Sequence, residues 1–451
     1  MFSWQFIKQK TNSILTAIFI ISIYFNSVEV ENPFVQDSRF AIKPTMISLT
    51  LLFLIVVNNK DFFRFKNSFF LLLAWFALAQ YLSLFGSEHR YITLQQSLVV
   101  TLLMAMTWIV SKSLQTLKQF EEVFLIVAYF GIVFCIFQLI NYYTLIGYYG
   151  RLGGDSGNLR GGPLYIGELL VMLSPFVFLL LNSIKYLYKV FGILILTTCI
   201  SMTLAKGVII SFIIFCLVTM LNKQIRLISV ISLLLIIVTS IFSYLGIFDI
   251  PKQYLDEKEY SIFLDLRKYN LLQSFGKDIG EITSEMKTVL LNDSTSKASI
   301  VHRIKAALVA IKNSANKPVW GHGAGTSQIL MPLLAERFDE NASSETLELL
   351  IKYHAFGQNQ TCCIDAHNTF LVQLFETGLV GFIPLVVMFL WQIRKHLSLK
   401  SDSVINVLIL ASLISIIVHR MSINWTTIPN LWFVLGLSQA YILNCEKKVC
   451  I

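Results

Sequence analysis

Asp365-Ala366-His367-Asn368-Thr369-Phe370-Leu371-Val372-Gln373-Leu374-Phe375-Glu376-Thr377-Gly378-Leu379-Val380-Gly381 marks a junction. Behind it lies a long polar segment. Ahead run about 25 apolar-rich residues, enough for a helix to cross the hydrocarbon core of a bilayer. His367 therefore stands at a water–lipid boundary, where a polar loop gives way to a membrane span. That reading sets the fold class, because apolar runs of similar length recur along the chain.

The 451 residues are 55% hydrophobic and include 35 Phe, and 14% are charged. Soluble domains carry about 25% charged residues. The repeated apolar runs predict an all-α polytopic membrane protein. Its spans fall at about 13–27, 45–58, 68–86, 95–111, 122–144, 165–183, 190–205, 207–222, 227–246, 368–392, 404–419 and 429–445. This divides the chain into nine spans within 1–246, one large and mainly helical loop at 247–367, and three spans within 368–451. The first apolar run lacks a small-residue cleavage site, so it is expected to stay in the membrane.

The net charge of +9 is a topology signal and calls for no nucleic-acid partner. With the N-terminus inside, the cytoplasmic segments hold 16 of the 36 basic residues against 5 acids, and the short outer loops hold 7 basic residues. This asymmetry follows the positive-inside rule and puts 247–367 on the outer face. Of seven cysteines, Cys135, Cys199 and Cys216 fall within spans as packing residues. Cys445 and Cys450 fall inside the cell. Cys362 and Cys363 are adjacent on the outer side, where a bridge between neighbours is strained; free or intermolecular thiols are the other reading. No cysteine spacing reads as a zinc site, and no metal or cofactor is expected.

The outer segments collect the polar chemistry. Residues 149–163 hold six glycines with Arg151 and Arg160. Backbone amides freed by glycine can approach a phosphate and arginine grips it with two bonds, although a flexible turn with solvated arginines reads the same way. Glu168 follows, close enough to the boundary to be wetted. Lys206 stands in a turn almost too short to be a loop, either as a snorkelling lysine or as a phosphate-binding cation. Residues 300–316 read as an amphipathic helix, with Ile300, Ile304, Leu308 and Ile311 on one face and Arg303 in its first turn. A glycine-rich turn, Pro318–Gly325, contains His322, which is either a turn residue or part of the site. Further helices fit 328–337 and 344–353. There is no internal repeat, no Walker loop and no paired carboxylate of glycosidase type.

One histidine among several cations suits a reaction whose donor carries phosphates. His367 would take a proton from an acceptor hydroxyl. The cations would stabilise a departing pyrophosphate without a metal. The amides of the helix starting after His367, and the cations nearby, favour the neutral ring that a base requires.

Three stretches resemble the O-antigen polymerase and O-antigen ligase superfamily. They are Arg303 with Lys317-Pro318-Val319-Trp320-Gly321-His322-Gly323-Ala324-Gly325; His367-Asn368-Thr369-Phe370-Leu371 with Glu376, Gly378 and Gly381; and Thr203-Leu204-Ala205-Lys206-Gly207. At the last of these the family usually has Ser-Arg-Gly; lysine keeps the charge and loses the bidentate fork. The resemblance covers about residues 150–385. It implies a GT-C-like fold and an inverting, metal-independent glycosyltransferase in the bacterial inner (cytoplasmic) membrane, with its active site facing the periplasm. The donor it implies is a glycan on undecaprenyl pyrophosphate. The acceptor is a sugar hydroxyl, on another repeat unit in a polymerase or on lipid A core in a ligase. The Lys206 departure and the 151–160 loop favour polymerase. Membrane lipids and a chain-length regulator are the further partners.

The resemblance gives His367 the catalytic role. Arg303, Lys206, Arg151 and Arg160 take the pyrophosphate, and Asn368, Glu376 and His322 support. The competing class is a lipid-linked oligosaccharide flippase or other transporter. That class would place charges deep in several spans and show two related halves.

Overall fold

The computed structural model describes residues 4–24, 44–57, 67–144, 163–245, 247, 298–336, 368–399, 403–422 and 429–449. Every regular element among them is helical. Among the described residues, nine α-helices precede the large loop: α1 (Trp4–Tyr24), α2 (Pro44–Val56), α3 (Ser68–Leu82), α4 (Arg90–Ser113), α5 (Leu117–Thr144), α6 (Pro163–Ser183), α7 (Tyr186–Met202), α8 (Lys206–Thr219) and α9 (Arg226–Tyr244). The loop contributes α10 (Ala298–Ser314) and α11 (Ser327–Glu336). The chain then forms α12 (Thr369–Ser398), α13 (Val404–Arg420) and α14 (Pro429–Val449).

Helices are what apolar sequence dictates here, since a lipid-embedded backbone must satisfy its own amides and carbonyls. Among the described residues, six stretches are long and apolar enough to cross a membrane: Ser68–Phe85, Arg90–Ser113, Leu117–Ile140, Tyr165–Ser183, Arg226–Tyr244 and Thr369–Ser398. Five shorter apolar helices, Lys10–Ile23, Thr45–Leu54, Tyr186–Met202, Lys206–Thr219 and Val404–Arg420, occupy further places where spans are expected. Large apolar side chains point outward from the bundle, among them Leu71, Trp75, Leu102, Tyr129 and Val133. Their place is against lipid, since such a surface in water would drive association.

One buried cluster runs through the bundle helices, with Phe69, Phe76, Phe124, Phe178, Phe212, Leu408 and Trp432 in its interior. Helix α3 packs on α12 and α4, α14 on α4, and α13 on α8 and α6. Polar bonds tie these pairs where lipid offers no alternative. Gln80 Nε2 donates to Gln373 Oε1 at 3.2 Å, and Ser415 Oγ donates to the Ser211 carbonyl at 2.7 Å. At the far end of α12, His396 Nδ1 lies 2.7 Å from Asn406 Oδ1 at the start of α13. The two helices are therefore antiparallel, and α12 begins at the end of the bundle where α13 stops.

Helix α12 is not one continuous rod, although the sequence reads as a single span over 368–392. Gly378 has φ 60 and ψ −162, which breaks the helix between its first two turns and its long apolar remainder. A second, smaller cluster sits against the short first part, formed by Ala306 and Ala310 of α10, Met331 of α11, and Val372 and Phe375. The described part of the large loop thus docks where α12 enters the bundle.

Candidate active site

The site is built from the broken helix outward. Asn368 caps α12: its side-chain oxygen accepts from the amides of Phe370 at 3.0 Å and Leu371 at 3.1 Å. An asparagine cap satisfies amides that would otherwise have no intrahelical partner. His367, the residue before this cap, lies outside the described residues, as do Arg151, Arg160, Cys362 and Cys363.

Breaking the helix at Gly378 frees two carbonyls above the break and two amides below it, and the glycine-rich turn meets all four. The amides of His322 and Gly323 donate to the carbonyls of Phe375 and Glu376 at 2.9 and 2.8 Å. The amides of Leu379 and Val380 donate to the carbonyls of Pro318 and Val319 at 2.8 and 3.3 Å. Backbone strands approach this closely only without side chains. Gly321 has φ +67, and a Cβ there would overlap the Glu376 carbonyl; a Cβ on Gly378 would overlap the Val319 carbonyl. The Pro318–Gly325 turn and the Glu376–Gly381 stretch, two of the motifs singled out above, are thus the two halves of one clasp.

The remaining polar groups lock this clasp. The Glu376 carboxylate is buried and accepts from Ser327 twice, from its hydroxyl at 2.5 Å and from its amide at 3.2 Å. It thereby caps α11 from across the clasp. The His322 ring stacks on Phe375 at 4.5 Å between centroids, and its Nε2 donates to the Asn313 carbonyl in the last turn of α10 at 3.0 Å. Burial pushes the pKa of this ring below the ordinary histidine value. The Asn313 carbonyl, which favours the protonated ring, offsets part of that, and the Lys317 charge adds to it.

A third element holds the clasp from behind: the turn between α3 and α4. The Lys317 ammonium donates to the Gly86 carbonyl at 2.7 Å and to Glu88 at 3.2 Å, which holds the Glu88 carboxyl below its ordinary pKa. Ser83 Oγ accepts from the Ala324 amide at 3.0 Å, and Trp320 packs on Phe85 at 5.9 Å. The sequence marks the first four spans as plain scaffold. Their third connection, between α3 and α4, in fact supports the site, and its polar run Gly86-Ser87-Glu88 is the signal that could have shown it.

Arg303 stands in the second turn of α10, one turn before Ala306 of the small cluster. Asn313, at the other end of α10, lies beside Phe375 through His322.

Lys206 opens α8 and is exposed. Leu204 before it has φ 52, the left-handed region that a branched side chain rarely occupies. The end of α13 closes on this turn, since a Cβ on Gly207 would overlap the Ser422 hydroxyl. Beneath lies a buried charge cluster. Arg420 Nη2 donates to Glu168 Oε1 at 2.5 Å, and His419 Nε2 is 3.5 Å from Glu168 Oε2. Glu168 is only 2% exposed, which corrects the expectation of a wetted acid: Arg420 carries its charge in the interior. A cavity of about 10 Å³, lined by Glu168, Val171, Met172, Ser412, Ile416, His419 and Val434, adjoins it and has room for one water. His419 and Arg420 were missed in the sequence because Arg420 counts there only as an outer-loop charge. Among the described residues, no three His, Cys, Asp or Glu gather as metal ligands.

Residues 191–386 match the model of a protein family described as O-antigen ligase. No curated protein matches the chain. The matched stretch runs from α7 to the middle of α12. It includes Lys206, Arg303 and both halves of the clasp, and it stops short of Arg420. With its apolar helices, the chain is a multi-pass membrane protein.

Proposed function

We propose, from the premise that this chain carries an O-antigen ligase family domain, that it transfers a glycan from undecaprenyl pyrophosphate to a sugar hydroxyl at the outer face of the inner membrane. His367 takes the proton of the acceptor hydroxyl. The hydroxyl oxygen then forms a bond to the anomeric carbon as the bond to the pyrophosphate oxygen breaks, with inversion and without a metal. Arg303, Lys206, Arg151 and Arg160 receive the negative charge that develops on the leaving pyrophosphate. The family match favours transfer over transport.

One observation carries this reading. The glycine turn, closed into the break of α12, joins α10 and the start of α12 in one body. Ala306 and Ala310 of α10 share the small cluster with Val372 and Phe375, so the helix that carries Arg303 packs on the first turns of the helix that follows His367. That packing supports a base and a phosphate-binding arginine acting on one substrate. The described helices lie at the expected span positions, and the basic-residue asymmetry favours a twelve-span arrangement with 247–367 outside. An alkaline phosphatase fusion near residue 300 is then active, and an inactive fusion there with activity at residue 185 inverts the topology.

Of the two acceptors, a second lipid-linked repeat unit is favoured by lysine at position 206 and by the two arginines of the 149–163 loop. The family description favours lipid A core, as in a ligase. Lipopolysaccharide gels of a deletion strain separate the two. Loss of the ladder with one capped unit retained identifies a polymerase, whereas loss of all O-antigen with lipid-linked polymer accumulating identifies a ligase. In the same strain, Arg303→Ala fails to restore transfer, because a charge-assisted bond of about 1.5–3 kcal/mol is lost, and Lys206→Arg restores it. Wild-type chain length from Arg303→Ala, or an inactive Lys206→Arg, removes the phosphate assignment.

A further inference from the structure

The charge cluster at the end of α13 lies outside the matched stretch, and none of its members belongs to the reaction scheme above. Helix α8 starts at Lys206 behind Ala205, which gives no side-chain cap. The Val208 amide turns back to the Ala205 carbonyl at 3.0 Å, which leaves the Gly207 amide at the positive end of the helix dipole. Gly207 has no side chain, so the end of α13 lies directly against this turn. The residue brought there is His419. It is 2% exposed, and neither ring nitrogen makes a hydrogen bond among the described residues. Its Nδ1 lies 3.8 Å from the position a Gly207 Cβ would take, so it is aimed at the first turn of α8. The opposite ring nitrogen faces Glu168, which Arg420 holds in turn.

We infer that His419 supplies a hydrogen-bond donor, through Nδ1, to a diphosphate group bound at the start of α8, with Glu168 and Arg420 as its positioning residues. This rests on the proposed role of Lys206. A phosphate oxygen there would accept from the Gly207 amide, from the Lys206 ammonium and from Nδ1–H, while Nε2–H of the same imidazolium faces the Glu168 carboxylate. Nδ1, a buried nitrogen that otherwise lacks an acceptor, is then satisfied. The pair of groups on either side of the ring gives it a single orientation, as a donor that hydrogen-bonds a ligand requires. The same chemistry could be offered by free pyrophosphate or by a prenyl-linked diphosphate.

The test exploits amide geometry. The side-chain nitrogen of Asn reaches the position of Nδ1, and that of Gln the position of Nε2. Wild type, His419→Asn, His419→Gln and Lys206→Ala are purified as full chains in detergent. Binding of inorganic pyrophosphate and of farnesyl pyrophosphate is then measured by calorimetry on monodisperse protein.

The expected result is affinity within about threefold of wild type for His419→Asn and a loss of about tenfold or more for His419→Gln. Either variant alone decides: near-wild-type binding by Gln, or a large loss in Asn, overturns the inference, because the Glu168 contact is then what matters. Binding of both compounds assigns the site to the diphosphate group; binding of farnesyl pyrophosphate alone, in the same variant order, assigns it to the prenyl-linked form. If Lys206→Ala loses binding while His419→Gln does not, His419 is excluded and the donor reading stands. If wild type binds neither compound, both fall.

Discussion

Gly321 and Gly378 stand back to back. A Cβ on Gly321 would lie 2.6 Å from the backbone nitrogen of Gly378, and a Cβ on Gly378 would lie 2.7 Å from that of Gly321. Both have positive φ, at 67 and 60. Each residue is glycine because of the other, and together they let the turn close into the broken helix. Alanine at either position meets backbone rather than a flexible side chain, and adopts a conformation that costs on the order of 1–3 kcal/mol. Gly321→Ala and Gly378→Ala should each lower the thermal stability of the purified protein and abolish transfer. A double variant should be little worse than either single one, because the first already opens the clasp. Additive losses in a melting series would show that the two glycines act independently.

Glu376 is the bond between the clasp and α11. Glu376→Ala removes a buried carboxylate and leaves the Ser327 hydroxyl and amide without this acceptor, at a cost of about 1–3 kcal/mol. Glu376→Gln keeps an oxygen facing Ser327 and loses the charge, so it should lose less. The two variants are compared by the temperature at which monodisperse protein is lost. Equal losses would mean that the charge, not the hydrogen-bond acceptor, holds α11.

His322 makes the clasp sensitive to acid. Its folded pKa is depressed by burial, so the unfolded chain binds a proton at a higher pH than the folded one does. Stability then rises with pH while only the unfolded state is protonated. The contribution of His322 is full above the unfolded value of about 6.5. It declines as the pH falls below that, until the folded ring also titrates. Melting temperature measured from pH 7.5 down to pH 5 should fall less steeply in His322→Gln than in wild type. Parallel curves would show that the ring makes no such contribution.

The helices were legible in the sequence because an apolar run near twenty residues has few alternatives. The stretch at 300–316 likewise found its helix at Ala298–Ser314, but Leu308 and Ile311 of the expected apolar face are exposed, and Ala306, Val309 and Ala310 are buried instead because the small alanines let α10 approach α12 closely. The break at Gly378 was not legible. Apolar residues flank Glu376-Thr377-Gly378 on both sides, and a lone glycine is tolerated in a helix. Only the turn at 318–323, far upstream, satisfies the groups that the break frees. The Glu168–Arg420 pair was hidden for the same reason: each residue is an isolated charge near a span end until the fold joins positions 252 residues apart. The resemblance motifs named the right stretches, but what Gly321, Gly378 and Glu376 do is visible only where their backbones meet.

His367 carries the central claim. Asn368 already caps α12, so a loss of activity at His367 cannot be put down to an uncapped helix. The decisive measurement is glycan transfer by purified His367→Gln in detergent, with a lipid pyrophosphate glycan as donor and donor binding followed in parallel. Transfer should fall by roughly 10²–10⁴-fold, the usual worth of general-base assistance, while donor binding and yield stay at wild-type levels because the cations are untouched. Full transfer by His367→Gln would contradict the account and leave the reaction without its base.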